Sequence, residues 1–302
     1  MSKSKKLIFF GTENFSLSAL EALVENNYDV LAVVTKPDSR RGRGKAFTSS
    51  PVKQFAIDSG IPVIQSSDGQ EMERKLAEYQ TDFAVLSAFG KIIPDSILNM
   101  FPGGIINIHP SLLPKYRGAS PIEQAILNGD ENTGVSLMKL IKEMDAGPIF
   151  AQSKIELDST ETAPELYRAL GKLGSQLLIE KLPDIISKQL PIVEQDDELA
   201  SVAPMITKPD GRINWDKTAE TLERQIRAYL RWPGSKITIN DTEITITQAR
   251  LGKKSGKPGE LFVQENEFGV YCKDTSVIVE KLKPAGKREM HTSEFLAGNK
   301  VI

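Results

Sequence analysis

Apolar positions along the chain fall into two periods. Leu7-Ile8-Phe9-Phe10 is a continuous apolar run closed by Gly11-Thr12. Behind it the spacing turns helical, with Leu17, Leu20, Leu23 and Val24 on one stripe between Phe15 and about Asn26. Val30–Val34 is the next continuous run, so the opening predicts β-α-β and a parallel sheet. Ser50-Pro51 is an N-cap followed by a first-turn proline, starting a helix that runs to Gly60. Short strands are predicted at Pro62–Ile64, Phe83–Leu86 and Gly104–His109. Thr133–Ile141 and Ile149–Ile155 alternate in polarity and read as antiparallel additions. Thr162 with Glu165 three residues on is a capping box, opening a helix to about Lys181. The first half is thus expected to be α/β, a Rossmann-like, mostly parallel open sheet.

The pattern then changes. Leu190–Lys208 carries prolines and charge runs and shows no period, which marks an interdomain linker. Thr218–Leu230 reads as a helix. Lys236–Ile239, Glu243–Arg250, Leu261–Val263, Gly269–Lys273 and Val277–Leu282 read as short strands separated by turn residues. Their spacing fits a small antiparallel β-barrel. The expected division is residues 1–189 as one domain, 190–208 as linker and 209–302 as a second domain.

Composition adds limits rather than direction. The chain has 302 residues, 40% hydrophobic and 26% charged, as in ordinary globular proteins. Net charge is −2, which gives no support for a polyanion partner. Residues 210–302 carry 16 Lys and Arg against 13 Asp and Glu, a weak local excess of +3. A single cysteine, Cys272, excludes an intrachain disulfide and any cysteine-based metal site. It sits in an alternating segment and is expected to be buried. With only two histidines, no metal is expected. The apolar run behind the basic N-terminus ends at Gly11, too short for a signal or a membrane span, so the expected location is cytoplasmic.

Phosphate-binding fingerprints fail on inspection. After Gly11 the further glycines of a dinucleotide motif are replaced by Glu13 and Ser16. Gly42-Arg43-Gly44-Lys45 superficially matches a P-loop, but Ser39 stands for its first glycine and Ala46 follows the lysine. The stretch still concentrates four cations, Arg40, Arg41, Arg43 and Lys45, just after a strand. It is either a solvated loop or an arm that grips phosphates.

The densest chemistry lies at Asn107-Ile108-His109. Side chains alternate along a strand, so Asn107 and His109 share a face at its C-terminal end, where open α/β sheets bind ligands. Singly, a histidine near a strand end is usually structural and an asparagine there caps a turn. Together with Asp145 downstream they favour function. Asn107 can donate to a developing oxyanion, His109 can relay a proton, and Asp145 can orient the ring. That set suits acyl-type transfer from a carrier to an incoming amine.

These residues, with Phe10-Gly11-Thr12, Ser50-Pro51-Val52-Lys53, Pro110 to Pro114, Tyr116-Arg117-Gly118, Asp145-Ala146-Gly147, Gly211-Arg212-Ile213-Asn214-Trp215 and Trp232-Pro233, closely resemble the methionyl-tRNA formyltransferase family. The resemblance runs in order over nearly the whole chain. The Asn-His-Asp set with its Ser-Leu-Leu-Pro segment is common to 10-formyltetrahydrofolate-dependent formyltransferases. The Arg-Gly loop and the C-terminal segments are what point to tRNA. The resemblance implies a catalytic domain joined to an OB-like barrel, 10-formyltetrahydrofolate as co-substrate and initiator methionyl-tRNA as acceptor, with no obligate protein partner. Asn107, His109 and Asp145 would be catalytic. Ser111, Leu112, Leu113 and Pro114 would line the folate site together with Phe89, Gly90, Ile92 and Met144, largely through backbone groups. Arg40, Arg41, Arg43 and Lys45 would contact the tRNA. Trp215 and Trp232 could stack on bases, although packing is the simpler role for both. Transfer to a small amine, such as a nucleotide sugar or glycinamide ribonucleotide, and hydrolysis of the folate use the same core. A non-catalytic RNA- or folate-binding protein is the third reading.

Overall fold

Continuous apolar runs become strands buried on both faces. The structure, a computed structural model, describes residues 6–41, 46–264 and 267–299, with residues 39–41, 46–48 and 264 described in the backbone alone. The chain begins with β1 (Lys6–Gly11), α1 (Asn14–Glu25), β2 (Asp29–Thr35), β3 (Ser39–Arg41), β4 (Ala46–Thr48), α2 (Pro51–Asp58), β5 (Val63–Gln65) and α3 (Gly69–Leu76). It continues with β6 (Phe83–Ser87), α4 (Asp95–Leu98), β7 (Gly104–His109), β8 (Arg117–Gly118), α5 (Pro121–Asn128), β9 (Asn132–Lys139), β10 (Ile149–Glu156) and α6 (Ala163–Ser187). After β11 (Val202–Ala203) come α7 (Ala219–Ala228), β12 (Ser235–Ile239), β13 (Thr242–Gly252), β14 (Leu261–Gln264), β15 (Glu267–Tyr271), β16 (Ser276–Pro284), β17 (Met290–His291) and α8 (Thr292–Gly298).

Two compact units divide the chain. The first holds Met1–Gly118, Thr133–Ile155 and Tyr167–Val202; the second holds Ala119–Asn132, Glu156–Leu166 and Ala203–Ile302. Residues 190–202 of the segment read as a linker therefore cluster with the first unit. No helix among the described residues is long and apolar enough to cross a membrane.

The first unit is a seven-stranded sheet ordered β10-β9-β7-β6-β1-β2-β5. β5, β2, β1, β6 and β7 run parallel, and β9 pairs antiparallel to β7. Every residue of β6 and β7 is buried, as expected of parallel strands covered on both faces. β10, at the sheet edge, alternates between half-buried and exposed residues. From β1 the chain builds outward through β2 to β5, and then returns to the other side of β1 with β6 and β7. The order reverses between β1 and β6. Their C-terminal ends, Gly11-Thr12 and Ser87 to Gly90, stand at the switch point where such sheets bind ligands. Thr12 donates its hydroxyl to Phe89 O at 3.3 Å, joining the two ends. A core of Phe10, Phe89, Phe101, Ile105 and their neighbours fills one face, with Phe10 edge-on to both Phe89 and Phe101.

β3 and β4 pair as an antiparallel hairpin, so the flanks of the cationic stretch are ordered ladder rather than open loop. At its base Lys53 donates to Asp38 and to Gln65, and the Gln65 amide donates to Asp38 and to Lys36 O. Those bonds, from Lys53 first and then Gln65, hold the Asp38 carboxyl below the usual carboxylate range. Ser50 caps α2 as expected, accepting from Lys53 N.

In the second unit the strands pair as β12-β13-β16-β15-β14, with β17 on β16, and the sheet ends at β12 and β14 as a half-barrel. α7 and α8 pack on it, burying Leu222, Ile226 and Phe295 against Ile244, Phe268 and Val279. Trp215 lies partly buried against that core, whereas Trp232 is 55% exposed, contrary to a packing role. Cys272 is buried there, and burial followed by the nearby Asp274 pushes its thiol up to about 11.

Candidate active site

The alternation of β7 brings Asn107 and His109 to one face, both almost fully buried, where they meet Asp145. Asn107 Nδ2 donates to Asp145 Oδ1 at 3.4 Å, and His109 Nδ1 lies 3.6 Å from Asp145 Oδ2. The second distance is too long for a hydrogen bond. The carboxylate is held elsewhere: Gly118 N donates to its Oδ2 at 2.9 Å. The histidine is likewise fixed on its far side, with Nε2 2.9 Å from Tyr116 O. A carbonyl oxygen only accepts, so Nε2 carries a proton in either charge state. Nδ1, facing Asp145, is the one ring nitrogen left to take or give a proton. The ring thus lies between Tyr116 O on one side and the Asp145 carboxylate, expected to orient it, on the other.

Asp145 sits on a sharp turn, with φ +50°. A left-handed backbone costs an L-residue roughly 1–2 kcal/mol, so the turn needs support. Part of it is Gly147, where an added Cβ would fall 1.9 Å from Lys139 O. Only glycine lets these backbones approach so closely. Further support comes from Gln195, whose Nε2 donates to Asp145 O at 2.8 Å and to Gly147 O at 2.7 Å. Gln195 lies in the stretch expected to be a linker, and Gly118 carries no side chain to suggest a role. Bonds between side chains and backbone groups leave no pattern in a sequence.

The loop after β7 is built from Ser111 to Pro114, and the Leu113–Pro114 peptide is cis. Ser111 is fully buried and its hydroxyl donates to Lys115 O, closing the turn. Ser136 donates to Ser111 O and accepts from Leu113 N, while Gln152 donates to Leu113 O. Leu113 and Phe89 are buried, so their side chains belong to the loop and the core; Leu112, Pro114 and Gly90 retain accessible surface. Ile92 is 94% exposed and Met144 63% exposed, large apolar side chains free to meet a ligand. Of the cationic residues, Arg40 and Arg41 lie on β3, described in the backbone alone; Arg43 and Lys45 lie outside the described residues. No group of three or more His, Cys, Asp and Glu able to hold a metal occurs among the described residues.

This arrangement can bind a carbonyl oxygen, hold a proton beside it and neutralise the charge that results. Comparison with known proteins bears on which reaction it serves. Residues 5–182 match the formyl transferase family and residues 205–300 the formyl transferase C-terminal domain. The chain is 38% identical over 299 residues to the methionyl-tRNA formyltransferase of Myxococcus xanthus, covering 98% of this chain and 96% of that protein. It is 37% identical over 300 residues to the methionyl-tRNA formyltransferase of Enterococcus faecalis, covering 97% and 96%. Among solved structures, the N-formyltransferase of Helicobacter canadensis, in complex with folinic acid and dTDP-3-aminofucose, superposes with a TM-score of 0.68. It is 22% identical and covers 95% of this chain and 99% of its own. HypX of Aquifex aeolicus in complex with tetrahydrofolic acid gives a TM-score of 0.67 at 17% identity, covering 96% of this chain and 46% of its own. At these identities the two structures share the fold.

Proposed function

The chain belongs to the formyl transferase family, among the methionyl-tRNA formyltransferases, and on that premise we propose that Asn107, His109 and Asp145 carry the transfer. The acceptor in this reading is the α-amino group of initiator methionyl-tRNA and the donor is 10-formyltetrahydrofolate. The observation that supports it is the convergence of an amide, an imidazole with one free nitrogen, and a carboxylate at the C-terminal end of β7.

The folate supplies the formyl group. Asn107 Nδ2 donates to the formyl oxygen as charge builds on it, a contribution of roughly 3–4 kcal/mol for a donor of this kind. The amine nitrogen bonds to the formyl carbon and the bond from that carbon to the folate nitrogen breaks. His109 Nδ1 takes the proton the amine sheds and returns it to the leaving nitrogen, directly or through one water. Asp145 balances the charge on the ring meanwhile. The exposed apolar side chains of Ile92 and Met144 and the accessible backbone at Gly90 suit a flat heteroaromatic ring with a polar edge. Arg40, Arg41, Arg43 and Lys45 would hold the phosphates of the tRNA acceptor end. The domains in this reading are residues 1–189 and 209–302, with 190–202 of the stretch between them held in the first unit. The reaction needs no metal and no second protein chain, and it would take place in the cytoplasm.

The test is formyl transfer from 10-formyltetrahydrofolate to charged initiator tRNA, with uncharged tRNA and free methionine as controls. Formylation of the charged tRNA alone is expected. His109→Ala should abolish turnover while folate still binds. Turnover that survives the substitution overturns the role of His109. Formate release or formylation of a small amine instead would discard the tRNA acceptor.

A further inference from the structure

Residues 193–201 run across the site as a strap stitched to it at several points. Val193 exchanges both backbone hydrogen bonds with Ile149, at 2.8 and 2.9 Å, just after the Asp145 turn. Asp196 caps a short helical turn by accepting from Glu198 N. Ser201 accepts at its hydroxyl from Tyr116 N and at its carbonyl from Arg117 N. Between these anchors lies Gln195, and its amide is fully used. Both N–H bonds go to the turn, at Asp145 O and Gly147 O, and Oε1 accepts from Arg117 Nε at 2.9 Å. Arg117 is held in turn by an ion pair to Asp197 at 2.8 Å.

Followed from atom to atom, these contacts close a ring. Asp145 O accepts from Gln195; Gln195 accepts from Arg117; Arg117 is bonded to Gly118; and Gly118 N donates to Asp145 Oδ2. The carboxylate is therefore fixed at its backbone and at one oxygen by the same frame, at the side facing His109. We propose that Gln195, steadied by Arg117, is a positioning residue for Asp145. It holds the turn so that the carboxylate faces His109 Nδ1 and Asn107 during transfer. The inference rests on the reading of Asp145 as the carboxylate of the reacting site. Shape alone does not satisfy the role. A glutamate at 195 has the same length, but it would set a carboxylate oxygen against two carbonyl oxygens.

The experiment measures kcat and KM for 10-formyltetrahydrofolate and for methionyl-tRNA, with thermal melting, in Gln195→Ala, Gln195→Glu and Asp145→Asn and in the Gln195→Ala/Asp145→Asn double variant. Gln195→Ala should lower kcat about 10–100-fold, the scale of a misplaced group, with both KM values within about threefold. Gln195→Glu should fall at least as far. In the Asp145→Asn background, Gln195→Ala should cost less than about twofold more, because both changes act on one group. Should Gln195→Ala lose its cooperative melt, Gln195→Met, which keeps the length and removes the donors, carries the same comparison. Wild-type kcat in Gln195→Ala, a rise in KM with kcat kept, or an equal loss in both backgrounds overturns the positioning role. Wild-type turnover in Asp145→Asn would instead overturn the site reading itself, and this inference with it.

Discussion

Asn107 and His109 are 5% and 4% exposed, whereas Ile92 and Met144 are 94% and 63% exposed. The first pair sits on a strand buried along its whole length, and the second in loops beyond strand ends. In the proposed reaction the contrast separates two tasks. Groups that handle charge gain strength when withdrawn from water and held, since reorganisation is then already complete. Apolar groups meant for a ligand must stay open until it arrives, and their burial then becomes binding energy.

Experiments that break or sharpen this contrast differ in size. Asn107→Ala should cost the most, about 10²–10³ in the rate of a single turnover, at nearly constant affinity for folate. A loss under tenfold would reduce its burial to a packing role. Ile92→Ser should do the reverse, weakening 10-formyltetrahydrofolate binding about tenfold in titration while kcat stays near wild type. A fall in kcat with unchanged affinity would move Ile92 to the charged side of the division.

Two smaller effects concern groups away from the reacting atoms. Asp38, at the base of the β3–β4 hairpin, has its carboxyl lowered by the bonds from Lys53 and Gln65. A carboxylate whose folded pKa is lowered contributes stability above its unfolded value, about 3.9, and loses it as pH falls through the folded value. The difference in melting temperature between wild type and Asp38→Asn should thus be full at about pH 6 and shrink below about pH 4. A difference that stays constant with pH would show that Asp38 contributes only shape. Smallest of all, Cys272 should resist a maleimide in the native protein at about pH 8 and react on unfolding, because its thiol is pushed up to about 11. Its raised value also means that stability contributed by the neutral thiol is present below the unfolded value, about 8.5, and is lost as pH rises through 11. Fast labelling of the folded chain would contradict its burial.

Legibility in the sequence followed the same division between kinds of signal. β7 spans Gly104–His109 as expected, since a strand buried on both faces is a plain apolar run bounded by glycine and proline. Asn107 and His109 could be placed on one face by period alone. α3 was invisible: it buries only Met72 and Leu76, a single repeat, behind an Asp68 cap. β3 and β4 are three residues each, shorter than any alternation can reveal. Asp145 could be named as a partner, but the turn that aims it could not. That turn depends on Gln195 reaching the Asp145 carbonyl from 50 residues away, and on Gly118 N reaching its carboxylate from 27 residues away. Residues 190–208 showed no period because residues 193–201 are tied by caps and single bridges, which repeat nothing.

One of those bridges reaches beyond catalysis. Ile149 opens β10, the outermost strand of the sheet, and spends its outward N–H and C=O on Val193. An unpaired strand edge is a template on which another chain can add and aggregate. The strap therefore caps that edge where it begins. A chain that released residues 193–201 to loosen the Asp145 turn would, by the same motion, uncover a place for its neighbours to stick.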